Sequence, residues 1–201
     1  MKRFANTTGI VTLFATILFT PLLSRAESVP HEPNKTMTHS VSQLSQTQKM
    51  AAYNTWANLQ LCNWLSEADS VQWSMHIESS FTTLNTTVCH LWNAEHGWLS
   101  TLNKEAWSMA VERDSGLSQR EVLNGFMETS RAFQVYVDQL TEESFHDTRN
   151  LGKDQKAVSL ADIIQHVLNH ATYHRGQLIT MGRQAGLSSP PRTDYIFFMM
   201  Q

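Results

Sequence analysis

Nine histidines occur in 201 residues, and three of them, His166, His170 and His174, recur every four residues within one stretch of helical character. Four residues advance an α-helix by about 400°, so neighbours in this series sit on nearly the same face, one turn apart. Two neutral imidazoles stacked that way let one helix offer a metal two nitrogen ligands. All three cannot serve one ion comfortably, since His166 and His174 are separated by about 12 Å of rise and roughly 80° of rotation. One adjacent pair is the expected ligand set, and a third ligand must come from another element.

Two further histidines are candidates for that third position. His90 lies at the edge of the apolar stripe formed by Leu84, Val88 and Leu91, where it can look into a helical core. His96, flanked by Glu95 and Gly97, is expected to be exposed. His76 and His146 fall between helical segments, and His31 and His39 fall in a polar leader; solvated side chains are expected at all four. Three imidazoles from two helices would leave a coordination position free, the arrangement of a catalytic or ligand-exchanging site rather than a closed structural one. An H-x-x-x-H pair alone does not settle this, because histidines on a partly exposed helix face need no metal.

Four helices must position these residues. The apolar spacing predicts the first from about Ser42 to Ser66 and the second from about Glu78 to Asn103, the latter including Phe81. Ser118 with Glu121 forms a capping box that starts the third, which runs to about Leu140. Residues 145–158 read as a loop with room for a short hairpin. The fourth starts near Ser159 and stops at Gly186, before Pro190 and Pro191. The apolar tail from Tyr195 is expected to pack back on the helices. The fold class is all-α, a four-helix bundle.

The N-terminus reads as an export signal. Lys2 and Arg3 precede an apolar run from Ile10 to Phe19, broken only by Thr12 and Thr16, and Ser24-Arg25-Ala26 places cleavage after Ala26. The run is short for a membrane anchor, which needs about 20 apolar residues. The domain organisation is then a signal peptide at 1–26, a flexible leader at 27–41 and a helical domain at 42–201. Cleavage removes Lys2, Arg3 and Arg25, which leaves 12 basic against 18 acidic residues and a net charge of −6. Such an acidic product is a poor partner for nucleic acid. Cys62 and Cys89 could meet in an oxidising compartment, but they do not lie at matching heights on an antiparallel helix pair, and no bridge is expected.

The residues around the histidines resemble a known pattern. His170-Ala171-Thr172-Tyr173-His174-Arg175-Gly176-Gln177 is similar to the H-x-x-x-H-R-G-Q signature of the DinB/YfiT-like family of metal-binding four-helix bundles. Tyr53 to Asn58 resembles that family's first-helix motif, His90 to Trp98 its second, and Thr193-Asp194-Tyr195 its closing segment. The likeness spans about Val41 to Phe198, with the four motifs in the family's order. It implies a long crossover between the second and third helices, for which residues 104–117 are suitable. It also implies His90, His170 and His174 as metal ligands and His166 as a neighbour of the site. Arg175 and Gln177 point off the His174 face and are expected to pack or hydrogen-bond, with Gly176 at a close helix approach.

A divalent ion on three imidazoles, zinc or nickel by ligand type, would activate bound water or a bound thiol near neutral pH. The resemblance therefore implies a metal-dependent hydrolase or small-thiol transferase acting on a small molecule, with a homodimer plausible. Thiol-dependent members use cytoplasmic thiols, so a periplasmic or secreted product tilts the expectation towards hydrolysis. The alternative is a non-catalytic exported metal-binding protein. An apolar cleft beside the free coordination position would favour the enzyme, and a filled core the binding protein.

Overall fold

The computed structural model describes residues 41–112 and 115–201. The segments expected to be a signal peptide (1–26) and most of a leader (27–41) lie outside them. Four long helices form a bundle: α1 (Gln43–Leu65), α3 (Leu84–Leu102), α4 (Gln119–Asp138) and α5 (Leu160–Gln184). A short α2 (Ser70–Ser74) follows α1, and α6 (Tyr195–Met199) ends the chain. A 3₁₀ turn at Ser144–His146 leads into an antiparallel hairpin, β1 (Thr148–Leu151) with β2 (Lys156–Ser159), in which Thr148 opposes Ser159. No helix among the described residues is long and apolar enough to cross a membrane.

Local chemistry sets the helix ends. Ser42, Ser118 and Ser159 each accept a backbone N–H three residues on, and Glu121 closes the capping box on Ser118. A cap of this kind is worth about 1 kcal/mol. α5 stops before Gly186, whose φ of 94° suits glycine.

The second helix departs from expectation. It begins at Leu84 rather than near Glu78, because Thr83 caps it with Thr86 in reciprocal hydrogen bonds. Asp69 and Gln72 likewise start α2 with a capping box. Phe81 is thus in the connecting segment, not on a helix.

The core is layered. One apolar cluster gathers Leu61, Leu65, Leu84, Val88, Phe126 and Leu178, and a second gathers Leu44, Leu102, Phe133, Ile163 and Ile164. The order of the clusters along each helix gives its direction: α1 and α5 run one way, α3 and α4 the other. α1 and α3 each pack on both α4 and α5. Because α3 and α4 are adjacent and parallel, the chain between them must return along the bundle. That segment, residues 103–118, is the long crossover. Asn93 fixes it by bonding both the C=O and the N–H of Val111, at 2.8 and 2.9 Å.

Both cysteines are buried and free, as expected. The tail also packs back: Tyr53 donates to the Thr193 carbonyl at 2.8 Å, and the rings of Tyr195 and Phe198 lie 5.2 and 6.0 Å from that of Tyr53.

Candidate metal centre

α3 and α5 pack against each other and carry the histidines to one place. One ligand atom from each of His90, His170 and His174 lies within 4.8 Å of the others. The closest approach is His90 Nε2 to His170 Nε2, 3.0 Å. Two zinc–nitrogen bonds of about 2.0–2.1 Å at a tetrahedral angle place their nitrogens about 3.3–3.4 Å apart. The donor set therefore has the size of a metal site without large rearrangement.

Electrostatics favour the ligating form. Burial, reinforced by the neighbouring imidazoles, holds His90 and His170 down at about 4, and burial also lowers His174. All three are neutral at physiological pH, with lone pairs available. Among the described residues no carboxylate joins the cluster.

Gln177 orients the third ligand. Its Oε1 lies 2.7 Å from His174 Nδ1, and its Nε2 donates to Ser80 and to the Tyr173 hydroxyl. With its oxygen turned to the ring, Gln177 accepts from His174 Nδ1–H, which leaves Nε2 as the ligand atom. The expectation that Gln177 points away from His174 is corrected here: three residues apart on a helix, the two side chains meet.

Gly176 is a second correction. A Cβ there would meet nothing within 4 Å, so it marks no close helix approach. Close approaches occur at Gly97, Gly125 and Gly182, where a Cβ would overlap the rings of Trp107, Trp92 and Trp64.

His31 and His39 lie outside the described residues, and the other described histidines stay apart from the cluster. His166 is exposed, its ring 5.9 Å from that of His170 and 5.0 Å from that of Trp98. It is a neighbour of the cluster, as expected. His96 is half-buried rather than exposed, 3.2 Å from Ser108 Oγ under the crossover. His76 pairs at the surface with Glu78, and His146 is exposed. Cys89 packs as a core residue with its Sγ against Asn85.

Two features escaped the sequence reading. Phe81 stacks on His90 with ring centroids 4.1 Å apart and stands 5.8 Å from His174. It roofs the cluster from the loop before α3. Beside it a cavity of about 280 Å³ is bounded by Phe81, Cys89, His90, Met109 and Val111 among others.

The second feature is a polar layer between the two apolar clusters. Arg175, one residue from His174, turns into the core and donates to Asn54 Oδ1, Asn58 Oδ1 and Thr172 Oγ1. Asn54 and Ser130 donate to Glu95 Oε1 at 3.1 and 3.4 Å. Glu95 is 3% exposed, and its Oε2 has no hydrogen-bond partner among the described residues. Burial raises its carboxyl to about 7, against the opposing pull of Arg175, Ser130 and Asn54. The hydrogen-bonding role expected for Arg175 is thus observed.

An all-α bundle with three imidazoles converging from its second and last long helices defines the class to which this chain is to be compared. The family model described as "DinB family" matches residues 37–201, and the chain belongs to that family. It is 27% identical over 161 residues to Protein DinB of Bacillus subtilis (strain 168), covering 75% of this chain and 92% of that protein. A crystal structure of a DinB-like protein from Bacillus cereus ATCC 10987 superposes with a TM-score of 0.57 at 19% identity, covering 69% of this chain and 91% of the other. That likeness concerns the fold.

Proposed function

We propose that the protein is a divalent-metal-dependent enzyme in which His90, His170 and His174 hold the ion. The observation that carries this reading is the convergence of three neutral imidazoles with, among the described residues, no carboxylate or thiol to complete a closed shell. Three nitrogen donors suit zinc or nickel and leave a position for an exchangeable ligand. A divalent ion there would supply Lewis acidity to whatever donor fills that position.

The chain's own residues do the rest. Gln177 fixes the His174 tautomer, Phe81 shields one face of His90, and the polar layer anchors α5 to α1 beside the ligands. The cavity against His90 favours an enzyme over a protein that only sequesters metal, since sequestration needs no space beside the ligands. The reaction classes are hydrolysis and transfer of a small thiol. Export through residues 1–26 favours hydrolysis, because the thiols used by cytoplasmic relatives would not accompany the chain.

Elemental analysis of the mature protein, purified without an affinity tag or chelator, tests the reading. About one zinc or nickel per chain supports it and justifies screening hydrolase and thiol-transfer substrates. No metal after incubation with several divalent ions would sink it.

A further inference from the structure

We infer that the cavity beside His90 receives an uncharged, apolar arm of the ligand that binds the metal, and so selects substrates by that arm. The inference rests on the metal reading above and names the chemistry of what the site accepts.

The cavity is bounded by His90 and by the Phe81 ring stacked on it, so a group bound there lies against one of the three ligand residues. Among the described residues no charged side chain lines it. Its polar lining side chains other than His90 are already engaged elsewhere. Both amide atoms of Asn93 are committed to the Val111 backbone. The Thr86 hydroxyl closes the cap of α3 with Thr83, and the Cys89 thiol bonds Asn85. What remains for an incoming group is apolar: the Phe81 ring and the side chains of Met109 and Val111.

A carboxylate or ammonium entering this space would lose its water and gain no partner, a cost of several kcal/mol. An alkyl or thioether group would gain from leaving water. The cavity of about 280 Å³ has room for a short chain and not for a large ring system. Its outer wall is also fixed: Asn93 clamps Val111, and Trp107 packs edge-on against Trp98 at 5.3 Å. The selection is therefore built into the fold rather than formed around each ligand.

The test uses the zinc-loaded mature chain and titrates straight-chain alkane thiols from ethanethiol to pentanethiol by calorimetry. Cysteamine and 3-mercaptopropionate serve as charged probes of similar length. Affinity should rise about threefold to fourfold per added methylene until the cavity fills. The charged probes should bind no tighter than ethanethiol, and the metal-free chain should bind none of the series. Met109 is 63% exposed, so Met109→Trp should keep the fold and the metal while filling the cavity. It should flatten the series, so that in this variant pentanethiol binds no tighter than ethanethiol.

Failure to load metal would show before any thiol is added and would sink the metal reading itself. With metal loaded, a flat series, no thiol binding, charged probes that bind as tightly as butanethiol, or the same slope in the metal-free chain would each overturn the inference. So would a full slope in Met109→Trp.

Discussion

α3 and α5 each contribute to two polar clusters that share a neighbourhood and little else. His90 and Glu95 are five residues apart on α3, and His174 and Arg175 are adjacent on α5. In the inner cluster, Glu95, Arg175, Asn54, Asn58 and Ser130 are buried and satisfy one another, apart from Glu95 Oε2. In the outer cluster the imidazoles lie at the bundle edge beside a cavity, and His90 and His170 are half-buried, with nitrogens that face each other. The inner groups complete each other and fix helix register, whereas the outer groups aim the same kind of atom at one point. The difference is in complementarity, not in burial.

Substitutions that separate the two clusters give the strongest test. His170→Ala or His174→Ala should abolish stoichiometric metal, lowering affinity by at least a hundredfold, with little change in the melting temperature of the metal-free chain. His90→Ala should weaken binding severely, and His166→Ala should bind nearly normally. Loss of metal in His166→Ala with retention in His174→Ala would show that the wrong pair had been chosen.

Arg175→Leu should act in the opposite sense, on stability. It leaves the Asn54 and Asn58 oxygens buried without their donor, at a cost of about 3–5 kcal/mol by denaturant unfolding. The fraction that still folds should keep one metal per chain. If Arg175→Leu folded normally and lost the metal, the two clusters would be one functional unit and the distinction would fail.

Gln177→Ala lies between them. Removing the acceptor for His174 Nδ1 should weaken metal binding by about tenfold to a hundredfold, read by competition with a chromogenic chelator. Gln177→Glu, which keeps an acceptor, should restore most of it.

Acid separates the clusters by sign. His90 and His170 are held at about 4 against a usual 6.5, so between these values the unfolded chain binds protons that the native metal-free chain does not. Their contribution to stability is lost as pH falls from 6.5 to 4. Glu95, raised from 4.5 to about 7, is protonated when native and ionised when unfolded across that window. Its contribution is lost as pH rises from 4.5 to 7. Glu95→Gln should therefore steepen the rise of melting temperature with pH between 4.5 and 6.5; an unchanged profile would show that Glu95 is ionised in the native chain.

Much of this was legible from spacing. Three helices start or stop within a residue or two of expectation because serine caps and apolar periods mark them. Phe81 was misplaced for a physical reason: nine residues before His90 on a continuous helix it would face the opposite side, about 900° away. The Thr83 cap frees it to fold over His90. The inner cluster was available but unread. Leu84, Val88, Leu91, Glu95 and Leu102 form one stripe on α3, and Asn54, Asn58, Leu61 and Leu65 another on α1. A polar residue on such a stripe is buried by its neighbours whatever its own preference. The Phe81 cavity had no sequence signal, since its outer wall comes from the crossover.

The row of rings from Trp98 through His166 to His170 also makes the protein its own optical reporter. Trp98 is the indole that stands one imidazole away from the cluster, and a paramagnetic ion such as nickel held there would quench its emission by proximity. With the other five tryptophans replaced by phenylalanine, ion occupancy would be read directly from Trp98 light, with no added dye and no enzymatic assay.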